Sequence, residues 1–188
     1  MNDLLVIVDM VNGFVNFGLL ADIKINKITP NIIELINYAQ NKKIDIVAFK
    51  DSHDIQDVEF KVFLPHCIKG TEESDLIPEL KAYENMMQII EKNTTNGFIT
   101  KEFKELLKRE FRNVYVCGCC TDICVSGFVL SYLRYIKEEN KNTKIYVIDD
   151  ACYTFDSDNH NALDSHNHSL NLMKENGAII IKTEDIVK

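Results

Sequence analysis

The chain has 188 residues, 46% hydrophobic and 27% charged, with only seven glycines and three prolines, the profile of one compact domain spanning 1–188 that buries its own core. A net charge of −8 and a pI near 5.1 repel phosphate backbones and acidic lipid surfaces, so neither nucleic acid nor membrane is an expected partner. The apolar stretch 4–8 lacks a basic flank and is too short for a signal segment or a membrane span, which makes the cytoplasm the expected location.

That stretch, from Leu4 to Val8, is a continuous β-branched run ending at Asp9 and reads as a strand buried on both faces. Thr29 as N-cap and Pro30 at the first helical position open a helix over 30–41. A second strand pattern covers 44–49, with Asp51 just beyond it. From Asp51 to about Asn85 no periodicity is sustained, and a loop that long inside a compact domain is usually functional. Strand patterns follow at 87–90, with Lys92 at the end, then at 114–117, 145–148 and 178–181; helical patterns lie between them at 101–109, 122–137 and 159–176, the last closed by Gly177. Six strands alternating with four helices define the α/β class, a three-layer α/β/α domain with a six-stranded, mostly parallel, Rossmann-like sheet.

In an open parallel sheet, ligands gather at the carboxyl ends of the strands. Asp9, Asp51, Lys92 and Cys124 all fall at or just past such ends. An acid, a lysine and a cysteine at one edge can divide the work of amide hydrolysis: Asp9 takes the thiol proton, Cys124 attacks the carbonyl, and Lys92 holds Asp9. Cys124 lies near the start of a helical pattern, where unpaired N–H groups and the helix dipole would lower its pKa. No histidine is close in sequence to serve as its base. Taken singly, Asp9 is also compatible with a capping carboxylate and Lys92 with a surface amine.

A second cluster has the composition of a metal site. Asp51 and His53, two apart on an extended segment, point the same way, and Glu59 and His66 return from the long loop. Imidazole and carboxylate together suit a divalent ion, zinc first, with iron or manganese as alternatives. Spacing alone fits a solvated acidic loop equally well.

Four of the six cysteines crowd between Cys117 and Cys124, while Cys67 and Cys152 stand apart, which is no secreted disulfide framework and leaves reduced thiols as the expectation. Cys117-Gly-Cys-Cys120 is formally a C-x-x-C sequence and raises a thiol redox protein as the reading of a different class. Its register argues against it, since Cys117 belongs to the apolar strand pattern and not to a helix start. His160, His166 and His168 have no partner at ligand spacing and read as structural or solvent-facing.

Five segments in order resemble the isochorismatase-like cysteine hydrolase family, nicotinamidases most closely. They are Val8-Asp-Met-Val-Asn-Gly-Phe14, Phe49-Lys-Asp-Ser-His53, Phe63-Leu-Pro-His-Cys-Ile-Lys-Gly-Thr71, Glu91-Lys-Asn-Thr-Thr-Asn-Gly-Phe98 and Gly118-Cys-Cys-Thr-Asp-Ile-Cys124. The resemblance implies a catalytic triad of Asp9, Lys92 and Cys124. It also implies a cis peptide bond between Cys119 and Cys120, with the Cys120 and Cys124 amides as oxyanion hole. Asp51, His53, Glu59 and His66 become metal ligands, and Phe14, Phe63 and Thr95 become substrate-binding residues around an aromatic ring.

The implied reaction converts nicotinamide to nicotinate and ammonia through a cysteine thioester, a step of pyridine nucleotide salvage, in a chain that could self-associate as a homo-oligomer. Another small-amide hydrolase of the N-carbamoyl amidase type is the nearest alternative. Vinyl-ether cleavage of isochorismate is disfavoured because Cys124 is present. Departures from the family pattern at Gly13, Leu64 and Thr95 bear on pocket shape and leave the triad intact.

Overall fold

The computed structural model describes residues 2–187. Its core is one six-stranded sheet in the order β3-β2-β1-β4-β5-β6, formed by β1 (Asn2–Val8), β2 (Asp45–Asp51), β3 (Gln88–Lys92), β4 (Phe111–Cys119), β5 (Lys144–Tyr153) and β6 (Ile179–Ile181). Every pairing is parallel, and all six strands read from the sequence are present. The central strands explain the uninterrupted apolar runs: Leu4, Val6 and Ile7 of β1 and Val114, Val116 and Cys117 of β4 are fully buried, as strands covered on both faces must be.

Helix Thr29–Lys42 packs on β1, β2 and β5 together with the terminal turn Glu184–Val187. It stops at Lys43, which takes a left-handed conformation (φ 56°). The Ser126–Glu138 and Ala162–Glu175 helices pack against each other, and the first of them joins an aromatic cluster in which Phe128 meets Phe49 at 5.4 Å and Phe103 at 5.0 Å. The strand order reverses direction between β1 and β4, so the chain's topological switch point lies between Val8 and Gly118. There the two strands are so close that a Cβ at Gly118 (φ 115°) would sit 2.1 Å from the Val8 carbonyl oxygen, a position open to glycine alone.

The 51–85 segment is irregular as expected, broken only by short turns of helix at Val58–Lys61, Glu72–Ser74, Pro78–Lys81 and Glu84–Met86. Isolated bridges, His53 with Ile68 and Val11 with Leu76, fasten it to the edge of the sheet. β5 runs five residues beyond the expected 145–148 span and is irregular against β4, where Val116 pairs with Val147 but Gly118 pairs with Cys152. Among the described residues no helix is long and apolar enough to cross a membrane.

Candidate active site

Asp9 leaves β1 at φ 50° while its amide still donates to the Phe49 carbonyl at 3.1 Å, so the chain turns out of the sheet at the switch point with the carboxylate fully buried. Lys92 closes β3, paired with Asp51 of β2 in register. Its ammonium lies 2.7 Å from Asp9 Oδ2, 2.6 Å from Asp51 Oδ1 and 3.8 Å from Cys124 Sγ. Cys124 stands on a single π-turn, Thr121–Val125, that runs into the Ser126–Glu138 helix. The peptide bond between Cys119 and Cys120 is cis, as the resemblance implied. Asp9, Lys92 and Cys124 are thus brought together from three separate strand ends.

The electrostatics of this group differ from the sequence expectation. Burial pushes the Cys124 thiol well above its ordinary pKa; Lys92 pulls it down, while Asp9 and Asp51 push it further up. The lowered pKa expected from the helix start is therefore corrected: a position near the start of a helix does not offset burial beside two carboxylates. Burial likewise raises Asp9, against the pull of Lys92, to about 6. Hydrogen bonds from Lys92, whose ammonium lies 2.7 Å from Asp9 Oδ2, and from the Cys124 thiol offset only part of that rise. A protonated thiol next to a carboxylate of raised basicity is the resting form this arrangement favours. For Lys92, burial opposes the charge, but Asp9, Cys124 and Asp51 override it and hold the ammonium well above its usual range.

Asp51 connects this group to the second cluster. Asp51 Oδ2 lies 2.9 Å from His53 Nε2 and 3.0 Å from His66 Nε2, and one donor atom from each residue falls within 4.8 Å of the others. His66 Nδ1 sits 2.7 Å from the Leu64 carbonyl and His53 Nδ1 sits 3.1 Å from Asp57 Oδ2. Both Nδ1 atoms face acceptors and must donate, so in neutral rings both Nε2 lone pairs face the Asp51 carboxylate. Three acceptors converging on one point repel unless a cation lies among them, and the donor set N, N, O suits a divalent metal. Burial would raise the Asp51 carboxyl, but the Lys92 ammonium, donating to Oδ1 at 2.6 Å, holds it well below the usual carboxylate range.

Glu59 is the exception in the expected ligand set. It is half-buried on the Val58–Lys61 turn and lines the same cavity, yet lies outside the Asp51, His53 and His66 cluster. Asp57, which orients His53, was not singled out from the sequence; its spacing of four residues from His53 was the available signal.

Above these groups opens a cavity of about 320 Å³. Phe14, Phe63 and Thr95 line it, together with Cys120 and Cys124. Phe14 packs on His66 at 5.4 Å. The remaining wall was not legible in advance: Leu19 to Asp22 on one side, Ile123 and the 155–157 segment on the other. All three further histidines are accounted for. His166 is buried between Thr121 and Asp149, His160 bonds Asp122, and His168 is exposed. All six cysteines are free and buried, with the Cys117 thiol directed at the Val6 carbonyl inside the core, away from the cavity. The redox motif does not form a site.

A doubly wound α/β domain with an acid, a lysine and a thiol at its switch point has the makings of a hydrolase that works through covalent catalysis. Residues 3–185 match the Isochorismatase domain, and the chain belongs to that family of hydrolases. Nicotinamidase 1 of Arabidopsis thaliana is 34% identical, over 95% of this chain and 81% of that protein. The crystal structure of nicotinamidase PncA from Bacillus subtilis superposes with a TM-score of 0.80 at 25% identity, over 97% of this chain and all of that one. The structure of the pyrazinamidase of Pyrococcus horikoshii in complex with zinc gives a TM-score of 0.80 at 24% identity, over 97% of this chain and 99% of that one, a likeness of fold.

Proposed function

We propose that this protein is a nicotinamidase, converting nicotinamide to nicotinate and ammonia. The observation that carries the reading is the buried junction of Asp9, Lys92 and Cys124 beneath an apolar, phenylalanine-walled cavity that also borders the Asp51, His53 and His66 cluster.

Asp9 accepts the Cys124 proton as the sulfur adds to the carboxamide carbon, so that no free thiolate accumulates at rest. The Cys120 and Cys124 amides receive the oxyanion. As the tetrahedral adduct collapses, the C–N bond breaks and Asp9 returns the proton to the leaving ammonia. Water then attacks the thioester carbonyl, Asp9 taking its proton and passing it back to the Cys124 sulfur as nicotinate leaves. Lys92 keeps Asp9 oriented throughout. Asp51, His53 and His66 would hold a divalent ion, zinc by preference for this donor set, and that ion would supply a Lewis-acidic contact for the ring nitrogen. Phe14 and Phe63 take the ring faces.

The test is ammonia release from nicotinamide by the wild type and by Cys124→Ala, beside a panel of ringless N-carbamoyl amides. Turnover of nicotinamide that survives Cys124→Ala, or a specificity ratio favouring the ringless amides, overturns the proposal.

A further inference from the structure

We infer that His160 is a positioning residue for the aromatic wall of the cavity, tying the 154–161 strap that carries Phe155 to the turn that carries Cys124. The inference leans on the nicotinamidase reading only for the substrate with which it is measured.

The strap runs from the end of β5 to the Ala162–Glu175 helix and places Phe155, Asp156 and Ser157 against the cavity. Its own regular structure is one tight turn in which Ser157 and His160 exchange backbone bonds of 2.9 and 3.1 Å. Beside the fully buried Thr154 and the packing of Phe155 on the core, two polar attachments hold it to the rest of the site. On one side the Asp156 amide donates to Asp22 at 2.9 Å and the Asp156 carboxylate pairs with Lys24 at 3.0 Å. The Lys24–Asp156 ion pair there is solvent-exposed, and pairs of that kind hold weakly; Asp22 is half-buried. On the other side His160 Nε2 lies 2.7 Å from Asp122 Oδ2, with the two side chains only 22% and 17% exposed.

The chemistry of the second attachment makes it the stronger. His160 Nδ1 faces the Phe155 carbonyl at 2.9 Å while Nε2 faces the Asp122 carboxylate. Each ring nitrogen thus lies within bonding reach of an acceptor, one on the strap and one on the Cys124 turn. The same ring stacks flat on Phe155, with centroids 4.0 Å apart and planes inclined by 8°. One side chain thus backs the aromatic wall, bonds the backbone behind it, and anchors both to Asp122.

Asp122 is a firm point of attachment because its turn is fixed without His160. The Cys120 carbonyl accepts from the Ile123 and Val125 amides at 3.1 Å each, Ser126 Oγ donates to the Ile123 carbonyl at 3.1 Å, and Thr121 Oγ1 meets His166 at 2.9 Å. Removing His160 therefore releases the strap and leaves Cys124 in place. The consequence is specific: ring binding weakens while the chemical step is spared.

The experiment compares wild type with His160→Ala, His160→Gln, Asp122→Asn and a His160→Ala/Asp122→Ala pair. The readouts are kcat and KM for nicotinamide, the rate of Cys124 alkylation by iodoacetamide, and amide hydrogen exchange across the strap. Loss of the tie to Asp122 should raise KM about tenfold in His160→Ala. Strap exchange should quicken, while kcat and alkylation change by less than about twofold. His160→Gln, which keeps a donor toward Asp122, should fall between, and the paired variant should add nothing to the single one.

Unchanged KM and unchanged strap exchange in His160→Ala would overturn the inference. So would a fall in kcat with slowed alkylation at constant KM, because His160 would then support the nucleophile. Should His160→Ala fail to fold, His160→Gln and Asp122→Asn decide by the same readouts. If the wild type releases no ammonia from nicotinamide, the nicotinamidase reading fails alone, and strap exchange still decides the role of His160.

Discussion

Lys92 and Asp51 form a buried ion pair at 2.6 Å, and through it the nucleophile group and the histidine cluster become one site. The same ammonium contacts Asp9 at 2.7 Å, so a single positive charge compensates two buried carboxylates. Replacing it by an apolar side chain leaves both uncompensated, a change that typically costs about 3 to 5 kcal/mol. Lys92→Met is expected to lose ammonia release and to unfold at clearly lower urea concentration than the wild type. A variant that unfolds at the wild-type midpoint would mean that Asp9 and Asp51 do not depend on Lys92.

In the proposed mechanism Asp9 accepts the thiol proton and so sets the acid limb of activity, and burial raises its pKa to about 6. Protonation from solvent below that value removes the base, so kcat/KM should fall by about tenfold for each further pH unit of acidification. The loss is on the acid side because the active form is the deprotonated one. A pH–rate profile flat to pH values near the ordinary aspartate range would show that Asp9 is not the base.

Metal content separates the ligands from their neighbours. His53→Ala and His66→Ala are expected to purify with little bound divalent ion, and Glu59→Ala to retain it, because among the described residues it is Asp51, His53 and His66 that bring donor atoms within 4.8 Å of one another. Asp57→Ala, which frees His53 to rotate, should weaken metal affinity by about 10- to 100-fold. Elemental analysis after dialysis measures all four. Stoichiometric metal in His66→Ala would break the assigned set.

The parts of this site that could be read from the sequence are those where chemistry and strand ends coincide. Asp9, Asp51 and Lys92 each terminate an apolar run, and an ionisable group there is conspicuous. Cys124 is conspicuous for its place after β4. Glu59 lies apart from the Asp51, His53 and His66 donors because residue spacing through an irregular loop does not fix where a side chain lands, and the Val58–Lys61 turn holds it on the cavity wall. Leu19, Leu20 and Phe155 carry no periodic signal at all. They become a wall only because the switch point folds two connections toward each other. β5 was read short since Asp149 and Asp150 interrupt its apolar pattern, although the strand continues past them to Tyr153. The direction of the Cys124 shift was missed for a related reason: burial and the nearness of two carboxylates are tertiary facts, while the helix start is local.

The Cys117 thiol points into the core at the Val6 carbonyl, and its removal should cost packing alone. Cys117 is fully buried in β4, where alanine loses one sulfur's worth of packing. Cys117→Ala should cost about 1 to 2 kcal/mol and keep turnover within about threefold, whereas Cys124→Ala keeps none. Loss of turnover in Cys117→Ala with an unchanged melting curve would restore a chemical role for that thiol.

Gly13 stands where family members often carry an acidic residue, and the structure shows what keeps a side chain out. A Cβ there would lie 2.6 Å from Cys67 Sγ and 3.2 Å from the Glu73 carbonyl oxygen. Cys67 is itself fully buried, its amide held by Glu73 Oε2 at 2.9 Å, so the sulfur has little room to retreat. Gly13→Ala should therefore destabilise the fold by about 1 to 3 kcal/mol, the usual cost of overpacking. Shortening the neighbour tests the cause: Cys67→Ala removes the sulfur but not the backbone oxygen, so the Gly13→Ala/Cys67→Ala pair should recover part of the loss and not all of it. Additive destabilisation in that pair, measured by urea unfolding, would mean that the sulfur is not the obstacle and that the Glu73 backbone alone excludes the side chain.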